Sequence, residues 1–310
     1  MTKNIGINFC SKHIPMMIKT TDKVLESYPI GEEISFNSVF SSITFDVITK
    51  IFFGQDITDE KNVIEYVCPF TGKKSMLSFH EYFLKVADNE FEAYIDPKGK
   101  LLPFLAEYKL VEPFKTNARN VKECYNAVAN YLDTSLDKDS VYHKLYSSGK
   151  FTKYECVMDV LMMLFAGFDT SARLVCAVVN LLKKNPEKLE KLMQELERYE
   201  ITKMDEIPEN KLKSVFNDCD YLNYVCKEAM RYDNSTIQSV LYEVLEECEI
   251  TGVKLFKGES VGMNILYPHF DPNQWRRPEE FLPERFDPEN ELFYKPGSKE
   301  IRHPKSFIPF

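Results

Sequence analysis

One segment constrains this chain more than any other. Thr152-Lys153-Tyr154-Glu155 has the form of a capping box, in which a Thr hydroxyl and a Glu carboxylate satisfy free N–H groups at a helix start. Helical spacing then continues to about Lys184, where Asn185-Pro186 ends the segment and starts another helix. At about 1.5 Å per residue the segment is roughly 45 Å long, enough to cross a whole domain. Its middle, Val160 to Phe168, is an apolar run of nine residues. A helix that is apolar nearly all round is expected inside a protein core, with the rest of the chain folded about it. The run is too short to span a bilayer, which takes about 20 residues, so no transmembrane segment is expected. Met1 to Lys12 lacks the apolar stretch of a leader peptide, and the chain as written is expected to be soluble.

Other segments repeat the helical pattern. Phe36, Val39, Phe40, Ile43, Val47, Ile48 and Ile51 recur at helical spacing between Ile34 and Phe53, and Gly54 is placed to close that helix. Val121, Cys124, Tyr125, Val128 and Leu132 mark another helix over Asn117 to Leu136. An amphipathic helix carries Leu189, Leu192, Met193 and Leu196 on one face, and a further one covers about Asp220 to Tyr232. Residues 55 to 115 give no clear pattern. From Glu249 to Ile265 the texture is that of short strands turned at Thr251-Gly252 and Lys257-Gly258. Eight of the 16 prolines then lie between Pro268 and Pro309, which excludes long helices there and implies an ordered meander. The expected fold is mainly α with small β-sheets near the C-terminal end, with residues 1–310 forming one domain.

Composition narrows the function. A net charge of -9, with no dense Lys/Arg run, argues against nucleic-acid binding, which rests on cations that neutralise phosphates. The eight cysteines include no C-x-x-C pair and are expected to be reduced thiols, mostly buried. None follows Cys248. His80-Glu81 does not extend to H-E-x-x-H, so a zinc protease finds no support, and no residue of the chain is named as a metal ligand.

Chemistry is concentrated in three places. The apolar helix carries Ala166-Gly167-Phe168-Asp169-Thr170-Ser171 in its middle. Gly lowers helix stability and a buried carboxylate is costly unless paired, so both need a reason there. A small residue admits something close to the backbone, and a Thr hydroxyl can bond back to the carbonyl four residues earlier. The set suits a site where a ligand lies against a helix and receives protons; the plainer alternative is a packing Gly beside a solvated Asp. Glu228 and Arg231 form an E-x-x-R pair on one helix face, which alone would be an ordinary surface ion pair. Pro268-His269-Phe270-Asp271-Pro272, Trp275, Pro278 and Phe281-Leu282-Pro283-Glu284-Arg285-Phe286 make a path fixed by prolines and anchored by aromatics. It delivers Arg285 as a rigid cation suited to a buried carboxylate.

In this order the motifs resemble the cytochrome P-450 family: the A-G-x-D-T of its oxygen-binding helix, its E-x-x-R helix and its P-E-R-F meander. Ser306-Phe307-Ile308-Pro309-Phe310 is similar to the lead-in of the family's heme loop, F-x-x-G-x-R-x-C-x-G, with Phe310 as its first residue. Asp46-Val47-Ile48 with Phe53-Gly54 looks like an earlier family helix, so the likeness covers nearly the whole chain. It implies an incomplete P-450 fold, lacking the N-terminal part and the heme cysteine loop. It also implies a monooxygenase that inserts one atom of O2 into an apolar small molecule with electrons from a reductase. Heme is then the cofactor, Ala166, Gly167 and Phe310 its neighbours, and Asp169 and Thr170 the proton relay. Glu228, Arg231 and Arg285 become a structural network. With the family's N-terminal anchor the full-length protein would sit at the endoplasmic reticulum membrane. Tyr242 stands where many members carry a propionate-binding Arg, and Asn234-Ser235 replaces the prolines usual after E-x-x-R. Two alternatives remain: a non-catalytic fragment that binds no heme, and a serine hydrolase. The second rests on Gly258-Glu259-Ser260-Val261-Gly262, which matches the nucleophile elbow and is followed by Asp271 and His303.

Overall fold

The computed structural model describes residues 7–31, 33–54, 63–134, 138, 140–201 and 218–309. The chain divides into two compact units, one over residues 19–172 and the other over residues 173–310 together with the N-terminal residues to 18. Helix α1 (Ile7–Glu26) begins in the second unit and ends in the first.

The unit over 19–172 is helical with one hairpin. Helix α2 (Phe36–Phe53) ends at Gly54, whose φ of 68° is easy only for glycine and whose N–H donates to Lys50 O at 2.8 Å. Residues 55 to 115, opaque in sequence, contain the antiparallel hairpin β1 (Val63–Val67) and β2 (Lys74–Ser78), with Val63 opposite Ser78. They also hold α3 (Phe79–Ile95), α4 (Pro97–Leu101) and α5 (Pro103–Glu107). Ser78 and Glu81 close a capping box on α3, a signal the sequence did contain. Helices α6 (Phe114–Thr134) and α7 (Val141–Ser147) follow. The core gathers Phe45, Phe79, Tyr82, Phe83, Val128, Cys156, Leu164 and Phe168. Its rings meet mostly at tilted or edge-on angles, as their quadrupoles favour, for example Phe45 on Phe168 at 5.6 Å and 82°.

Helix α8 (Lys153–Lys184) has the 32-residue extent its pattern predicts, and Thr152 and Glu155 form the expected box, with Thr152 N–H donating to Glu155 Oε2 at 2.7 Å. The expectation of all-round burial is corrected. Cys156, Val157, Val160, Leu164, Phe168 and Ala172 face the core, while Met158, Met162 and Phe165 are exposed. Apolarity on every side reported composition, not the number of packed faces. By length and hydropathy (1.5 over its best window) α8 is also the one helix among the described residues that could cross a membrane. Its inner face is nevertheless built into a protein core.

The unit over 173–310 contains the end of α8, then α9 (Pro186–Arg198) and α10 (Asp220–Tyr232). Leu181, Leu182, Leu192, Tyr221, Val225, Ala229 and Phe281 make its core. Glu195 of α9 caps α10 from outside: its carboxylate accepts from Tyr221 N–H at 2.8 Å and Leu222 N–H at 2.9 Å, two donors a helix start leaves free. Strands β3 (Tyr242–Glu243) and β6 (Ser260–Val261) pair, as do β4 (Cys248–Ile250) and β5 (Val253–Leu255). Thr251 (φ 49°) and Gly252 (φ 82°) turn the second pair, where the sequence places that turn. A short helix α11 (Leu266–His269) opens the meander, which continues through 3-10 turns at Pro283–Phe286, Glu291–Phe293 and Pro304–Ser306.

Candidate functional site

The meander and α10 meet in a fully buried ionic network. Glu228, Arg231 and Arg285 are each 0% exposed. Glu228 Oε2 accepts from Arg231 Nε at 2.8 Å and Oε1 from Arg231 Nη2 at 2.8 Å, a two-pronged pair that the three-residue helical spacing allows. Glu228 Oε1 also accepts from Arg285 Nε at 3.0 Å and Leu282 N–H at 2.9 Å. Remaining guanidinium protons go to the meander backbone: Arg231 to His269 O (2.8 Å) and Glu280 O (3.1 Å), Arg285 to Arg276 O, Arg277 O and Glu280 O. One carboxylate and two cations thus fix loop carbonyls that no strand satisfies. Burial lowers the Arg285 pKa against the pull of Glu228. The two arginines sequence reasoning names are joined by a third it does not. Arg302 lies 4.2 Å from the Trp275 ring and donates to Arg285 O and Leu292 O, both at 2.7 Å. Burial first, and then Arg285, bring its pKa down to about 10.

Glu284, adjacent to Arg285, turns the other way. It accepts from Lys188 (3.2 Å) and Lys191 (3.3 Å) of α9 and from Tyr221 OH (3.2 Å). Burial alone would raise its pKa; hydrogen bonds and the two lysines outweigh it and hold the carboxyl below its usual range. The P-E-R-F turn is therefore pinned on both sides. Charge at adjacent positions was visible in the sequence, but the partners were not.

In the other unit, the middle of α8 is arranged around two hydroxyl–carbonyl bonds. Thr170 Oγ1 donates to Ala166 O at 2.7 Å, as the four-residue spacing predicts. Thr44 Oγ1 of α2 lies 3.0 Å from Phe168 O. Ile48 of α2 packs onto Gly167: a Cβ added there would run into Ile48 Cδ1. The close approach that a small residue permits is thus taken by Ile48, the packing alternative weighed from the sequence. Ala166 is on the exposed side with Met162 and Phe165, and Asp169 and Thr170 are half-buried. Phe310 lies outside the described residues.

The hydrolase alternative is overturned. Ser260 sits within β6, paired to Glu243 of β3, and Val261 continues the strand, so the Ser is not at a strand-to-helix turn. His303 Nδ1 is occupied in accepting Lys305 N–H at 3.1 Å. Cys68, Cys124, Cys156, Cys176, Cys219, Cys226 and Cys248 are all free thiols. Burial raises Cys124 to about 12 and Cys219 to about 11. No group of three or more His, Cys, Asp or Glu able to hold a metal ion occurs among the described residues.

A buried Glu-Arg-Arg network in a proline-rich meander, in a chain that also carries a long helix with Ala-Gly-x-Asp-Thr in its middle, defines one protein class. The family model described as Cytochrome P450 matches residues 7–310, and the chain belongs to that family. It is similar to cytochrome P450 3A31 of Mesocricetus auratus, with 27% identity over 90% of this chain and 53% of that protein. Cytochrome P450 3A11 of Mus musculus gives 26% identity over 90% of this chain and 54% of that protein. Among solved structures, the cytochrome P450DA heme domain superposes with a TM-score of 0.74 at 16% identity, covering 99% of this chain and 63% of that one. The chain thus spans about half the length of the curated relatives it matches, and its mainly helical fold with small sheets is an incomplete cytochrome P450 fold.

Proposed function

We propose that the chain is part of one cytochrome P450 domain and belongs to a heme-dependent monooxygenase acting on an apolar small molecule with O2 and a reductase. The observation that carries this reading is the Glu228–Arg231–Arg285 network, buried to 0% exposure and bound to meander carbonyls. It is a costly arrangement to bury unless an exact backbone path is required of it. The residues present on α8 fit the cofactor: Ala166 interrupts an exposed apolar strip with Met162 and Phe165, and a flat apolar macrocycle can lie there. Ala166 would lie against it, while Gly167 serves by admitting Ile48. Heme bound through a cysteine thiolate would supply the oxygen chemistry. Thr170, whose hydroxyl donates to Ala166 O at 2.7 Å, and Asp169 are the residues assigned to proton delivery on this face of α8. With the family's N-terminal anchor, the whole protein would sit at the endoplasmic reticulum membrane.

A specific observation favours a second reading for the polypeptide Met1–Phe310 by itself. Burial raises Cys124, Cys156, Cys176, Cys219 and Cys226, a setting that disfavours the thiolate a heme iron needs. Cys68, where burial is outweighed by hydrogen bonds from Thr71 and Phe70 that lower the thiol, closes the β1–β2 hairpin, and Cys248 lies in a hairpin strand. This polypeptide alone therefore forms no thiolate-ligated heme. The test is hemin reconstitution and the carbon monoxide difference spectrum of the reduced protein, with and without a family cysteine loop joined after Phe310. The red-shifted thiolate band only in the joined form supports both readings. Absence of the band in the joined form refutes the first, and its presence in the chain alone refutes the second. In the active protein Thr170→Val is expected to divert electrons to peroxide, since positioned proton donors contribute about 10²–10⁴-fold; unchanged product per electron removes Thr170 from the relay.

A further inference from the structure

His269 and Asn234 lie 35 positions apart in the chain, yet both reach the same peptide. His269 is 0% exposed on the last turn of α11. Its backbone carbonyl accepts from Arg231 Nη1 at 2.8 Å, and its Nε2 accepts from Ile308 N–H at 2.9 Å. Asn234, 7% exposed, lies just beyond α10. Its Oδ1 is taken by Thr236 N–H at 2.9 Å, which leaves its amide protons to Ile308 O and Pro309 O, each at 3.4 Å. The Ile308 backbone is therefore held at both poles by side chains: the donor by His269, the acceptor by Asn234. The Phe307 ring completes the seat, 5.6 Å from the His269 ring and 5.1 Å from Phe286.

Packing alone does not account for a histidine here. Because Nε2 accepts, the ring proton is on Nδ1, and that atom is buried with no hydrogen-bond partner among the described residues. A buried unsatisfied donor is unfavourable, and Leu or Met would fill the space without one. What histidine adds is an acceptor at Nε2. Asn234 is likewise this chain's own residue where the resemblance leads one to expect proline, which has no amide to offer.

We propose that His269 and Asn234 are positioning residues, which lock the Ile308–Pro309 backbone to the Glu228–Arg231–Arg285 network and so fix the direction in which the chain leaves Pro309. The functional meaning rests on the heme reading above, in which this segment feeds the ligand loop; the clamp itself does not need the cofactor.

The test measures hydrogen exchange at the Ile308 amide in the chain Met1–Phe310, resolved to single residues. His269→Leu removes the acceptor and is expected to speed Ile308 exchange at least about tenfold while amides of α10 keep their protection. His269→Gln, which places an oxygen near the Nε2 position, is expected to restore it. Asn234→Ala is expected to speed exchange less, because it loosens the carbonyl side only. If His269→Leu loses protection throughout residues 218–309, the Gln variant decides: a folded unit with protected Ile308 supports the clamp, and a folded unit with free Ile308 overturns it. Ile308 unprotected in the parent overturns it as well. A protected Ile308 with no thiolate band in the loop-joined protein leaves the clamp standing and removes the heme reading. A thiolate band together with a freely exchanging Ile308 does the reverse.

Discussion

Replacing Glu228 by Gln is the sharpest perturbation the network offers, because shape is kept and only charge and one acceptor are lost. Four donors converge on this carboxylate at 2.8–3.0 Å: Arg231 Nε, Arg231 Nη2, Leu282 N–H and Arg285 Nε. Three of them reach Oε1, so the Gln oxygen is best placed there. Its amide nitrogen then points at Arg231 Nε, donor against donor. Two guanidinium groups, both 0% exposed, also lose their only carboxylate partner in the network. Breaking a buried ion pair from one side costs about 3–5 kcal/mol. A surface pair such as Arg277–Glu280, with both side chains more than half exposed, is worth about 0.2–1 kcal/mol and serves as the control. The single tryptophan reports on the right place: Trp275 is 1% exposed, with Arg231 5.4 Å and Arg302 4.2 Å from its ring. Urea unfolding followed by Trp275 fluorescence reads the unit over 173–310, which matters in a chain of two compact units where one global transition cannot be assumed. A Glu228→Gln midpoint within error of the parent, or no further from it than that of Glu280→Gln, would refute the reasoning.

Three other outcomes are expected. Burial, and next the charge of Arg231, depress His269 to about 4 from its ordinary 6.5, so the unfolded chain takes up this proton first as pH falls. Stability read by Trp275 should therefore drop between pH 6.5 and about 4, by up to roughly 3 kcal/mol, and His269→Gln should flatten that decline; an unchanged slope in the variant rules the histidine out. Gly167→Ala should destabilise the unit over 19–172 by about 1 kcal/mol through the clash with Ile48 Cδ1, net of the helix propensity gained. Adding Ile48→Val, which deletes that methyl group, should recover the loss, and strictly additive effects in the thermal melts would show that the contact is absent. Glu195→Ala should lower the Trp275-detected midpoint by the equivalent of about 1–2 kcal/mol, since it frees the Tyr221 and Leu222 N–H groups at the start of α10; a neutral result removes the cap.

What short-range interactions govern is legible in the chain alone. Helix α10 runs from Asp220 to Tyr232 and α8 to Lys184 as their patterns predict, because spacing, caps and Asn185-Pro186 act within one or two turns of the backbone. The Thr251-Gly252 turn and the Thr170–Ala166 bond are legible for the same reason, since each joins residues a few positions apart. Glu228 and Arg231 sharing a face also follows from helical period alone. Nothing local, however, says whether that pair is exposed or buried, and it was the family likeness that linked it to Arg285, 57 positions away. Only the tertiary structure decided that Gly167 makes room for Ile48, that α8 buries one face and leaves Met162 and Phe165 exposed, and that Glu284 is tied to Lys188 and Lys191. It alone brought His269 and Asn234 onto Ile308. The physical reason is that a buried polar atom must find a partner wherever the fold places one, and the choice is made by three-dimensional proximity and direction, quantities that sequence spacing does not carry beyond a single turn.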